Sequence, residues 1–217
     1  MKHLALLCIA LSLAGCSTTK IDVRNESRAA QYDPTTSARV RIISGEQTFG
    51  RFIAGQTCEV LFNETLKSLP NGSNPWIAAR PDDPAWFPMS RKTDYQNNTI
   101  GMPQSNASRT INESKHFYDE HVVPANQPVI VVMSLWSTQI SCYPPAVSIT
   151  PKPGEDYEIA LEQSQGACYT AVRKLAQLGT ATVEVPVSPA ICRKDNEGKT
   201  HTLDPLQPLE KPANYQN

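Results

Sequence analysis

The chain has 217 residues, 40% of them hydrophobic, with 20 basic and 21 acidic side chains and a formal net charge of −1. So even a balance offers no electrostatic footprint for nucleic acid. The length suits one domain with a sizeable core and long loops.

Met1-Lys2-His3 is a short basic start, Leu4 to Leu13 is an apolar run too short to span a bilayer comfortably, and Leu13-Ala14-Gly15-Cys16 follows directly. This succession of charge, apolar run, small residues and cysteine resembles a bacterial lipoprotein signal peptide with its lipobox. The resemblance implies removal of residues 1–15, diacylglycerol on the Cys16 sulfur, and acylation (typically palmitate) of the new amino group. Several acyl chains anchor firmly, since each buried methylene contributes roughly 0.8 kcal/mol. The expected mature protein is therefore tethered to a membrane without spanning it. Ser17 stands where, in lipoproteins, an aspartate implies inner-membrane retention, so the resemblance implies the Gram-negative outer membrane, periplasmic face.

Cys8 leaves with the signal peptide, and Cys58, Cys142, Cys168 and Cys192 remain in an oxidising compartment, which predicts two disulfides. Three pairings are open. Cys142 with Cys168 is preferred because they stand at the two ends of one folded β-meander, which leaves Cys58 with Cys192. Each bridge is expected to contribute about 3 kcal/mol by restricting the unfolded chain. A zinc site would need CxxC-like clustering that the sequence lacks, and neither a metal nor a cofactor is expected.

In chain order, residues 16–37 are polar and weakly periodic and read as a flexible tether with a reach of about 25 Å. Ala38, Val40 and Ile42 alternate with Arg39 and Arg41 as a first strand, and Phe49 to Ala54 and Thr57 to Phe62 read as further short strands. The region 63–117 reads as an insertion, broken by prolines at 75, 81, 84, 88 and 103, and its stretch from Gln104 to Lys115 reads as mobile. Val129 to Trp136 is a continuous apolar run of the kind buried on both faces. Ser141 to Leu175 then reads as three consecutive strands, with Val147 and Ile149, then Tyr157, Ile159 and Leu161, alternating around a turn at Lys152-Pro153-Gly154-Glu155. The acids of that hairpin, Glu155, Asp156, Glu158 and Glu162, are expected on its wet face. Val183 to Val187 is a last weak strand, and residues 193–217 read as irregular. The expected fold is all-β: a single antiparallel β-sandwich over residues 38–192, immunoglobulin-like or transthyretin-like. The stretches VPANQPVIVV, SCYPPAVSITPKPGEDYEIAL and ACYTAVRKL are similar to small envelope lipoproteins of Gram-negative bacteria, a resemblance that implies a fold and not a reaction.

No nucleophile motif is present: GxSxG, SxxK, CxxC and a Gly-rich phosphate loop are all missing. His116, Asp119, Glu120 and His121 have the wrong spacing to converge on a metal and read as a solvated loop before a strand. Asp82 and Asp83 beside Trp86, with Trp76 nearby, are the one mixture of acids and aromatics suited to stacking on a sugar. Five Asn-x-Ser/Thr sequences, at Asn63, Asn71, Asn97, Asn106 and Asn112, mark expected exposed loops. The leading expectation is a non-catalytic, lipid-anchored protein that works through contacts with envelope proteins. A glycan-binding module using Trp76 and Trp86 is second, and a periplasmic hydrolase using loop carboxylates third.

Overall fold

The computed structural model describes residues 20–45, 47–62, 77–78, 96–111, 116–137, 139–164, 166–195, 198 and 200–203. Fourteen strands run through them: β1 Ile21–Arg24, β2 Ser37–Gly45, β3 Thr48–Ala54, β4 Ile77–Ala78, β5 Gln96–Thr99, β6 His116–Pro124 and β7 Val129–Trp136. The others are β8 Ser141–Cys142, β9 Val147–Ile149, β10 Asp156–Ser164, β11 Ala167–Leu178, β12 Ala181–Val187, β13 Ala190–Lys194 and β14 Thr200–Leu203. The fold is all-β, as its alternating sequence predicts.

The strands form one open sheet ordered β1-β5-β6-β2-β3-β7-β9-β13-β14, with β10, β11 and β12 branching from β2. The sheet turns over at the β2–β3 hairpin, where Gly45 and Thr48 form the only register pair among the described residues of those strands. One arm is thus β1-β5-β6-β2-β10-β11-β12 and the other is β3, β7, β9, β13 and β14. Apolar residues of both arms meet in one core: Val40, Ile42, Val123, Ile159 and Val172 from the first, Phe52, Val131, Met133, Val147 and Ile149 from the second. Gly50 marks how close the arms lie, because a Cβ there would sit 2.6 Å from the Ile42 Cγ2 and 2.9 Å from the Met133 sulfur.

Several expectations are corrected. The sheet is mixed and not purely antiparallel: β1 pairs β5, β5 pairs β6 and β2 pairs β10 in parallel. Parallel neighbours need a long crossover, and between β2 and β10 the chain builds β3, β7 and β9 of the second arm, with β5 and β6 of the first, before it returns. The stretch Ser141–Leu175 holds its strands but is not a meander. β9 pairs with β7 and β13, whereas β10 pairs with β2 and β11. The Lys152–Glu155 turn carries the chain across, with Gly154 at φ +73° and its N–H donated to the Ser37 carbonyl at 2.9 Å. Cys58–Leu61 is a 3-10 turn in place of a strand.

The segment expected as a tether folds into the domain from Lys20 onward. β1 pairs β5, and the one-turn helix Glu26–Ala29 is capped by the Asn25 side chain, which accepts from the Arg28 N–H at 2.9 Å. Part of the expected insertion does likewise: β5 lies beside β6, and the short helix Asn106–Thr110 carries a capping box between Ser105 and Ser108. These segments cover the outer face of the first arm, where Ile100 and Met102 pack on Leu175 and Val122. β14 extends into the stretch expected to be irregular, paired with β13.

Candidate functional site

The Cys58–Cys192 bridge joins the 3-10 turn to β13 with Cα atoms 5.3 Å apart, and Cys142–Cys168 joins β8 to β11 with Cα atoms 6.3 Å apart. Both pairings match the reading preferred from the sequence. Cys16, Trp76, Asp82, Asp83 and Trp86 lie outside the described residues.

The densest ionisable cluster is one that sequence reasoning placed in water. β2 alternates, so that Arg39 and Arg41 face away from the shared core, toward the segment 100–102. Arg41 is 1% exposed, Glu120 on β6 1%, and Glu158 on β10 0%. Register sets the three side by side, since Arg41 is the cross-strand partner of both Glu120 and Glu158. The Arg41 Nη2 donates to Glu120 Oε1 at 2.6 Å, Nε donates to the same oxygen at 3.1 Å, and Nη1 donates to Glu158 Oε2 at 3.1 Å. The second Glu120 oxygen accepts three backbone N–H bonds, from Ile100 at 2.6 Å, Gly101 at 3.1 Å and Met102 at 3.2 Å. Gly101 adopts φ +96°, which lets successive amides curl round the carboxylate. Ser105 Oγ donates to Glu158 Oε2, while Glu158 Oε1 is buried with no partner among the described residues. Burial opposes the Arg41 charge, but Glu120 and then Glu158 more than offset it, so the guanidinium is held above its ordinary pKa.

Asp156 extends this layer. Arg39 grips it with two bonds of 2.6 and 2.7 Å and stacks over the Tyr32 ring at 4.5 Å. The expected wet face of the hairpin is therefore half wrong: Glu155 and Glu162 stay partly exposed, while Asp156 and Glu158 are enclosed. The expected loop at residues 116–121 is also corrected, because it forms most of β6. Its four candidate ligands divide between the two faces of that strand, as spacing dictates. Asn97 is likewise no exposed loop residue: it is 0% exposed in β5 and donates to Asp22 Oδ1 at 2.9 Å. One signal for the cluster was available, in that the apolar Ile100 and Met102 flanking a glycine suit a covering segment better than a mobile one.

His121 lies on the core-facing side of β6, 5% exposed, edge-on to Phe52 with centroids 4.9 Å apart. Burial, and then the Arg28 charge, lowers its pKa to about 3. The unfolded imidazole takes up its proton near pH 6.5, whereas the folded one does so only near 3. Stability is therefore complete above about pH 6.5 and falls on acidification toward 3, by roughly 1.4 kcal/mol per pH unit. Urea unfolding at pH 7 and pH 5 should show His121→Phe losing about 2 kcal/mol less than the native chain between the two. An unchanged pH difference would mean that the folded imidazole takes up its proton over the same pH range as the unfolded one.

Among the described residues a cleft of about 600 Å³ lies between β12 and the β9–β13 pair, lined by Ile149, Lys152, Tyr157, Lys174, Val185 and Val187. Tyr157 donates its hydroxyl hydrogen to Glu155 and accepts the Lys152 N–H at 3.2 Å, and Lys174 Nζ lies 3.1 Å from Glu155 Oε1. Burial and the Glu155 bond push the Tyr157 phenol up to about 12. The lining of the cleft thus mixes apolar side chains with the Lys152 ammonium and the Lys174–Glu155 ion pair. Among the described residues no group of three or more His, Cys, Asp or Glu could hold a metal ion, and no helix is long and apolar enough to cross a membrane. No family model, curated protein or solved structure matches the chain.

Proposed function

We propose that the chain is a lipid-anchored envelope protein, held through Cys16 at the periplasmic face of the outer membrane, which acts through contacts with other envelope proteins. The observation that carries the non-catalytic part is where the charge lies. Arg41, Glu120 and Glu158 are enclosed at 1%, 1% and 0% exposure and pair with one another across three strands, so this cluster clamps layers together and is not open to substrate. The anchor rests on the lipobox Leu13 to Cys16. Mass spectrometry of the protein extracted from membranes should find Cys16 as the first residue, carrying diacylglycerol and an amide-linked acyl chain. A different first residue without lipid mass would end the anchor reading. Cysteine-independent crosslinking in intact cells should trap protein partners, and repeated recovery of the chain alone would count against the contact role.

A ligand-binding module is the second reading, and the cleft beside Tyr157, Lys152 and Lys174 favours it. Titration with peptidoglycan fragments should then shift the amide resonances of β9, β12 and β13. Resonances that stay in place at saturating fragment would remove it.

A further inference from the structure

The strand registers place both the start of the folded chain and a group of exposed apolar side chains at one end of the domain. Ile21 pairs with Gln96 in β5, and β5 runs parallel to β6, whose first residue His116 lies opposite Gly45. The β2–β3 turn is at this same end, and so are Phe49 on β3 and Trp136 at the close of β7, whose N–H reaches the Gln47 carbonyl at 3.0 Å. β10 runs parallel to β2, so the β10–β11 hairpin closes here as well, with Tyr169 opposite Glu162. The Cys142–Cys168 bridge then ties that hairpin to β8.

Large apolar side chains stand in solvent around this end. Trp136 is 66% exposed and Tyr143 68%, with Ile21, Phe49, Ile140 and Tyr169 also exposed. Phe49 and Trp136 are diagonal neighbours on the outward face of the β3–β7 pair, because Phe49 lies opposite Ser134. Tryptophan and tyrosine carry a polar tip on an apolar body, the combination that settles at the headgroup level of a bilayer. An exposed patch of this kind marks an interaction surface.

Chain length identifies the surface it meets. Only residues 17–20 separate Cys16 from Ile21, so even fully extended chain holds this end within about 18 Å of the acylated cysteine. We propose that this end of the domain rests on the lipid surface, with Phe49, Trp136, Ile140 and Tyr143 seated at the headgroup level. The opposite end, with the β12 edge and the cleft, then faces away from the membrane. The inference rests on the lipid-anchor reading, because the short connection to Cys16 is what selects a bilayer over another partner.

The test uses the acylated full-length mature protein in vesicles of phosphatidylethanolamine and phosphatidylglycerol. Hydrogen exchange should slow at residues 137–143 and 164–169 on reconstitution and stay unchanged at Ala181–Val187. In a Trp76→Phe/Trp86→Phe variant, where Trp136 is the remaining tryptophan, brominated lipid should quench the emission. An acylated protein that floats with the vesicles but shows neither effect overturns this orientation and leaves the anchor standing. Protection of 137–143 that appears in native membranes and not in pure lipid assigns the patch to a protein and also overturns it. A chain that carries no lipid and does not float overturns the anchor reading and this inference together.

Discussion

Arg41→Met should lower stability by about 3–5 kcal/mol, the usual cost of removing one partner from a buried ion cluster. The loss arises less from the missing attraction than from what is left behind, two enclosed carboxylates with no counter-charge. The two glutamates should respond unequally. Glu120 anchors Arg41 and also satisfies the Ile100, Gly101 and Met102 amides, so Glu120→Ala orphans three backbone donors and removes two bonds from the guanidinium. Glu158 already has one unpartnered oxygen among the described residues, so Glu158→Gln should be the mildest of the three. Denaturant unfolding with the disulfides intact measures all of them, with the slope held constant so that midpoints report stability. If Arg41→Met shifts stability by less than about 1 kcal/mol, water reaches the cluster and the covering role of residues 100–102 is mistaken.

Removal of the Cys58–Cys192 bridge should cost about 4–5 kcal/mol in the chain-entropy account. It closes a loop between residues 134 apart, against a separation of 26 for Cys142–Cys168. Both sulfurs are also packed, with Cys58 and Cys192 in a small core with Ile53, Val60 and Ile130. Cys58→Ala/Cys192→Ala should therefore lose clearly more than Cys142→Ala/Cys168→Ala, which should lose about 3 kcal/mol. Thermal unfolding of the two paired variants gives the comparison, and equal losses would show that residual structure in the unfolded chain, and not loop length, sets the effect.

The sequence makes the inward faces legible because burial of apolar side chains at every second residue admits one solution. Val40, Ile42, Tyr157 and Ile159 alternate and are all buried in the shared core. It leaves the opposite face ambiguous. Arg39, Arg41, Asp156 and Glu158 also alternate, and polar alternation looks the same whether those residues meet water or one another beneath a covering segment. The cover comes from residues 20–32 and 96–111, whose weak periodicity reflects capping and turn chemistry at Asn25 and Ser105 in place of a repeating apolar stripe. Pairing order was beyond reach for a related reason. Consecutive strands are neighbours by default, and nothing local to Lys152–Glu155 shows that this turn crosses between arms instead of closing a hairpin. The patch around Trp136 was hidden differently, since β-branched neighbours made the run Val129–Trp136 read as interior throughout, whereas its last residue stands in solvent.

The two disulfides are nested, with the Cys142–Cys168 pair enclosed within the span of Cys58–Cys192. A chain oxidised in the order in which its thiols emerge would join Cys58 to Cys142 first, a link absent from the native fold. Cys58 must therefore stay unpaired until β13 has reached its place beside β9, or be released from a wrong partner by thiolate attack. The first of the four paired cysteines is thus joined to the last of them, so native pairing calls for either late closure of the Cys58–Cys192 bridge or thiol–disulfide exchange.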